Sequence, residues 1–265
     1  MGRWTDFIDA APACGHAAQI YGDPSELGES VAAYLGGGFA TGAPAVVIAT
    51  PAHWEIFAGR LDLAGWSAES LAADGLLTVA DAEATLESFM EDGSPSQARF
   101  EAVVGGLLDE IAGRFPAQTI RAFGEMVDLL AQRGELDAAI ALEELWNALA
   151  ESRDFALLCG YRLDLFDRAV QTGTLPEVCR THSHVRAVAD PVRLSTAVDR
   201  ALAEVLGPLA TAQVYVSVAE EMPRGSLPRG QAILMWLSAH QPVNAGRVLS
   251  RARSHYLHRP SVASS

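Results

Sequence analysis

Arg121, Glu125, Glu143 and Asn147 bring a guanidinium, two carboxylates and an amide close together along the chain. They lie in one stretch, Thr119–Asn147, which reads TIRAFGEMVDLLAQRGELDAAIALEELWN. Thr119–Phe123 is short and apolar, as a strand is, and a helical pattern begins at Met126. Glu125 therefore falls at the carboxyl end of a sheet, where open α/β sheets bind their ligands. Leu136, Ile140, Glu143 and Asn147 recur at i, i+4, i+7 and i+11, so a carboxylate and an amide share a stripe with two core residues. Buried, both need partners, and Arg121 and Glu125 are the candidates. The spacing predicts that His16, Arg121, Glu125, Glu143 and His182 converge in a pocket at the carboxyl edge of the central sheet. The plainer alternative is an ion pair, Arg121 with Glu125 or Glu143, that ties strand to helix.

Cysteine and histidine offer a second chemistry. Cys14-x-His16 and Cys179-x-x-His182-x-His184 would supply five ligands to Zn²⁺ if the two segments met. Their spacing matches no common zinc signature, so the expectation is no metal, with His16 and His182 bonded to backbone or to a carboxylate such as Glu125. Cys159, inside an apolar run, reads as a small buried hydrophobe; no oxyanion-hole motif accompanies it to support a Cys–His nucleophile. Three cysteines in a chain of this length form no disulfide framework.

The elements that must position these residues alternate. Ala17–Tyr21 reads as a first strand, stopped by Gly22-Asp23-Pro24. A helix follows with Leu27, Val31, Tyr34 and Leu35 on one face, ended by Gly36-Gly37-Gly38. Pro44–Thr50 is a continuous apolar run, as in a strand buried on both faces. Pro51 opens a helix with Trp54, Phe57, Ala58 and Leu61 inward; Leu76–Val79 is a third strand. Phe100, Val103, Val104, Leu107, Leu108 and Ile111 give a clear helical period, and Phe155–Tyr161 a further strand after the one at Thr119. Strands separated by helices imply parallel pairing with right-handed crossovers, an α/β doubly wound sheet.

The ordered segments GHAAQIYGD, LGGGFATGAPAVVIAT, ADGLLTVADA, IRAFGEM, ALEELWNAL, LLCGY and CRTHSHV resemble the MEDS domain, a sensory domain of methanogens, methylotrophs and actinobacteria named in part for the dichloromethane regulator DcmR. The resemblance spans Cys14–Val185 and rests most on the RxxGEM stretch, the LE-then-Asn helix and the Cys-x-Tyr strand. It implies a RecA/KaiC-like core that senses small molecules, hydrocarbon derivatives among them, without turnover and without a cofactor. The candidate ligand-binding set is then His16, Tyr21, Arg121, Glu125, Glu143, Asn147, Tyr161 and His182. A nucleotide-hydrolysing core would need GxxxxGK[ST] after the first strand. Here that turn is Tyr21-Gly22-Asp23-Pro24-Ser25-Glu26, whose acids repel phosphate. The glycines at 36–38 end a helix, the wrong polarity for a phosphate loop.

Composition bounds the rest. A formal charge of −14 and a pI near 4.8 argue against nucleic acid and anionic membranes as default partners. No uninterrupted apolar run reaches the ~18 residues of a spanning helix. Asp6 and Asp9 interrupt what a signal peptide would keep apolar. A soluble cytoplasmic chain is expected. Its boundaries are read as a sensory domain over 1–188 and a helical region over 189–265, with helices at Val192–Leu209, Ala212–Met222, Gln231–Ala239 and Val243–Leu257 and a breaker, MPRGSLPRG, after the second. The last helix is locally basic, with Arg247, Arg251, Arg253, His255 and Arg259. LPRGQAI and NAGRVLSRARSHY faintly resemble region 4 of extracytoplasmic sigma factors. Two functions follow: a sensor that binds a small molecule and passes the signal through homo-oligomer geometry or a partner protein, or a one-component transcriptional regulator whose tail reads DNA.

Overall fold

The computed structural model describes residues 4–221 and 227–258. Arg259 and residues 222–226, where the second tail helix is expected to end and the breaker to begin, lie outside the described residues. The chain divides into two units, Met1–Arg162 with Cys179–Arg186, and Leu163–Val178 with Ala187–Ser265.

The first unit is the α/β domain that the alternation predicts. Its strands are β1 (His16–Tyr21), β2 (Ala45–Ala49), β3 (Leu77–Asp81), the two-residue β4 (Met90–Glu91) and β5 (Ser94–Pro95), β6 (Ile120–Gly124), β7 (Phe155–Arg162) and β8 (His184–Arg186). β4 and β5 form a small antiparallel ribbon; the other six make one parallel sheet in the order β3-β2-β6-β7-β1-β8. Its central strands are buried along their length, which is why they read as unbroken apolar runs. Three-residue β8 carries no readable pattern, and the sequence missed it.

Helices α1 (Trp4–Ala10), α2 (Pro24–Phe39) and α3 (Pro51–Leu63) cover one face, packing Phe7, Leu27, Tyr34 and Phe57 on Ala17, Val47, Phe123 and Leu158. The chain continues through α4 (Ala68–Ala73), α5 (Ala82–Phe89), α6 (Gln97–Phe100), α7 (Gly106–Arg114), α8 (Met126–Gln132), α9 (Leu136–Ala150) and α10 (Leu175–Thr181). The opposite face of the sheet meets α9, whose Trp146 approaches Gly124 and packs edge-on to Phe100 and tilted on Phe155. The helix expected from Phe100 to Ile111 is broken by a π-helical turn at Glu101–Gly105. Within it Val103 faces solvent, while Val104, Leu108 and Ile111 are buried.

One boundary is corrected. The glycines at 36–38 do not end their helix; α2 runs on to Phe39. They are there for clearance. A Cβ on Gly38 would lie 2.6 Å from Cδ of Arg121, and one on Gly36 2.9 Å from Nε1 of Trp66.

The described residues of the second unit include α11 (Pro191–Glu221), α12 (Arg229–His240) and α13 (Pro242–Leu257), with a π-helical turn at Val170–Thr174. α11 joins the two predicted helices across a kink at Gly207 (φ 75°, ψ 173°) and Pro208. Among the described residues, α11 alone is long and apolar enough to cross a membrane by length and composition. Its Leu194, Val198, Leu202, Val214 and Val218 are buried in the unit.

Candidate functional site

β1 and β7 run in parallel with His16 opposite Leu157, so His16, Leu157, Cys159 and Tyr161 point to the same face of the sheet. α9 crosses that face and presents Glu143 and Asn147, one turn apart. His182, just past α10, completes the group. Glu143 Oε2 lies 3.1 Å from Nε2 of His16, and Oε1 lies 3.3 Å from Nε2 of His182. Tyr161 donates its hydroxyl to Oε1. Cys159 Sγ is 3.3 Å from His16 Nε2 and 3.8 Å from Oε2. The imidazole rings stand 4.1 Å apart. Glu143 is 2% exposed, His16 and His182 5% each, and Cys159 0%. Burial pushes the Glu143 carboxyl up, but His182 and His16 together outweigh it and hold it well below the carboxylate range. Burial, then Glu143, pushes the Cys159 thiol and the Tyr161 phenol well up.

A second polar cluster sits at the carboxyl ends of β2 and β6. The connection after β2 runs over the face covered by α2 and α3, and the one after β6 leads to α8 and α9 on the other. This divergence makes a topological switch point, where such sheets take ligands. Glu125, 1% exposed, bridges it. Its carboxylate accepts from the backbone N–H of Thr50 and bonds Nδ1 of His53, both from the β2 side. Thr50 in turn caps α3, its hydroxyl 3.4 Å from the His53 amide. Beside Glu125, Asp128 accepts from Tyr21 at 3.3 Å, from the Arg162 amide at 2.9 Å and from Gln132. Burial raises Asp128, and burial aided by Asp128 raises Tyr21. The Glu125 hydrogen bond raises His53.

The predicted five-residue convergence is not what the chain does. Arg121 and Glu143 lie on opposite faces of the sheet. Arg121 shares the face of Phe123 and points away from Glu125 and Glu143. Its guanidinium, 5% exposed, donates to the carbonyls of Ile8 and Asp9 at 2.9 Å each and to that of Tyr34, and stacks 5.3 Å over the Tyr34 ring. Ile8 and Asp9 belong to the last turn of α1, whose carbonyls have no partner within the helix. Arg121 is thus a helix-end clamp, and neither ion pair forms. Of the ligand-binding set, His16, Glu143, Asn147, Tyr161 and His182 gather on one face; Tyr21 and Glu125 border the switch point.

The zinc alternative is corrected too. His16 and His182 do meet, but the exposed Cys14 bonds the Ala150 carbonyl at 3.1 Å, and His184 bonds Ser183 and packs on Phe7. Their places beside the two histidines are taken by Glu143 and Cys159. His53 was missed: only the strand order reveals that the turn after β2 faces Glu125. The helical unit has its own cavity of about 460 Å³, lined by Gln171, Glu221, Trp236 and His240 among others.

The molecule is therefore a doubly wound α/β protein with a polar switch point and a second, fully buried polar cluster. The family model of MEDS, the methanogen/methylotroph, DcmR sensory domain, matches residues 15–183, and the chain belongs to this family. No curated protein matches it.

Proposed function

We propose that the chain is a non-enzymatic sensor that takes a small hydroxylated or aminated hydrocarbon derivative at the switch point. One observation carries this: a buried carboxylate, Glu125, joins the carboxyl ends of β6 and β2 through Thr50 and the half-buried His53. A ligand O–H or N–H that replaces the His53 donor on Glu125 frees the first turn of α3. Asp128 and Tyr21 supply further polar contacts to such a group. The ligand shifts the position of α3 against α8 by its differential affinity for the two arrangements.

The reading without turnover is supported at the first turn of α2. Asp23 Oδ1 accepts from the Ser25 amide at 2.9 Å, a donor that a phosphate at that helix end would need. A DNA-reading tail has less behind it. A single residue, Gln241, separates α12 from α13, where a helix-turn-helix uses three or four. Of the basic residues expected to read DNA, Arg253 pairs with Asp164 and His255 with Glu204.

Isothermal titration of the full chain against short-chain alcohols and amines tests the proposal. It expects saturable binding of at least one, weakened tenfold or more in Glu125→Gln. Binding unchanged in that variant, or no binding across both classes, overturns it.

A further inference from the structure

We propose that His16, Glu143, Cys159 and His182 form a four-ligand site for a divalent transition metal of the zinc type. Their candidate ligand atoms all lie within 4.8 Å of one another and all four residues are buried. Zinc bonds of ~2.0–2.2 Å to nitrogen and oxygen and ~2.3 Å to sulfur place tetrahedral ligands roughly 3.3–3.6 Å apart. Glu143 Oε2 lies 3.1 Å from His16 Nε2 and 3.8 Å from Cys159 Sγ, which are 3.3 Å from each other, and the other carboxylate oxygen, Oε1, lies 3.3 Å from His182 Nε2. These four separations lie within a few tenths of an ångström of tetrahedral spacing.

The surrounding hydrogen bonds orient the donors as a metal requires. Nδ1 of His16 is 2.9 Å from Oδ1 of Asn147, while Asn147 Nδ2 donates to the Thr181 carbonyl at 3.1 Å. A carbonyl only accepts, so the amide is fixed with its oxygen toward His16, and His16 must carry its proton on Nδ1. In the neutral ring the bare Nε2 then faces a carboxylate oxygen and a sulfur. Nδ1 of His182 is 2.9 Å from Thr181 Oγ1, a hydroxyl able to accept from it, with Nε2 turned inward. Such partners on the outer ring nitrogen are what fix metal-binding histidines.

The charges balance. A divalent cation binds two neutral imidazoles, the Glu143 carboxylate and the Cys159 thiolate, giving a neutral centre. The metal–sulfur bond replaces the S–H bond, and the thiol proton leaves to the solvent buffer. With four protein ligands and Tyr161 bonded to the carboxylate, the site is closed and structural in type. It would tie β1, β7, α9 and the end of α10 together. This inference stands apart from ligand binding at the switch point.

The test uses the full chain bearing Cys14→Ser and Cys179→Ser, stripped with chelator and titrated with Co²⁺ and Zn²⁺. The proposal expects one equivalent per chain, a thiolate-to-cobalt charge-transfer band, and a tenfold or greater loss of affinity in both Cys159→Ser and His182→Gln, with folding checked by circular dichroism. X-ray absorption of the zinc form decides without any variant: one sulfur and three nitrogen or oxygen neighbours support the site. Failure to retain metal, a cobalt complex without the thiolate band, or affinity unchanged in folded Cys159→Ser overturns it.

Discussion

The amide of Asn147 is locked between the Thr181 carbonyl and the ring of His16, and this one contact sets the tautomer of a buried histidine from the far end of α9. Asn147→Ala removes that hold. It should lower Zn²⁺ affinity ~10–100-fold, the usual effect of losing such a partner, while costing the metal-free fold only about 1 kcal/mol. Competition with a chromophoric chelator, read beside urea unfolding, separates the two effects. Equal affinity in the variant would show that Asn147 does not position His16 for metal.

Arg121 should matter for stability and not for ligand. Arg121→Met removes the donors to the carbonyls of Ile8, Asp9 and Tyr34 and loses the stack on Tyr34. A loss of ~2–4 kcal/mol in urea unfolding is expected, with the affinity for any switch-point ligand unchanged within twofold. A variant of wild-type stability would contradict the clamp.

The His53–Glu125 contact makes a signed pH prediction. The groups facing His53 are Glu125, whose hydrogen bond raises it most, Asp128, which adds to the rise, Arg162, which opposes it, and the edge of Tyr21. Because the folded value lies above the unfolded ~6.5, the stabilisation is fully present below ~6.5 and is lost as pH climbs through the raised value. The melting temperature of the unaltered chain minus that of His53→Gln should therefore be largest near pH ~6 and shrink toward pH ~9. A difference that grows with pH would reverse the assignment.

Gly207 sits in backbone that only glycine adopts readily, φ 75° and ψ 173°, just before Pro208 in α11. Gly207→Ala should destabilise the chain by ~1–3 kcal/mol in chemical denaturation. A neutral substitution would mean that the kink can relax without loss.

The sheet was legible because its inner strands, such as Ala45–Ala49 and Phe155–Tyr161, are buried on both sides and so appear as unbroken apolar runs. The shared stripe of Glu143 and Asn147 was legible, since helical period alone sets it. Leu136 and Ile140, read as core on that stripe, are only partly buried; the core face of α9 is Ala138, Ala139, Leu142 and Trp146. What the sequence could not reveal was which helix covers which face. Period-two alternation places Arg121 on the face of Phe123, but nothing local says that α1 and α2 lie there rather than α9. The glycines at 36–38 of α2 carried that information in disguise: Gly37 and Gly38 thin the helix where the Arg121 side chain passes, Gly36 clears Trp66, and read locally they looked like a stop. His53 and Cys159 were misjudged for a related reason. Their partners, Glu125 for the one and His16 for the other, are remote along the chain and meet them only in the finished sheet order.

Amide hydrogen exchange of the full chain, with and without a small alcohol or amine that binds, tests whether the switch point is the ligand site. Changed exchange is expected in the segments 50–57 and 125–132, which flank the switch point, and none in 30–38 behind Arg121. Binding that leaves both flanking segments unchanged, and alters instead the helices around the Trp236 cavity, would contradict it.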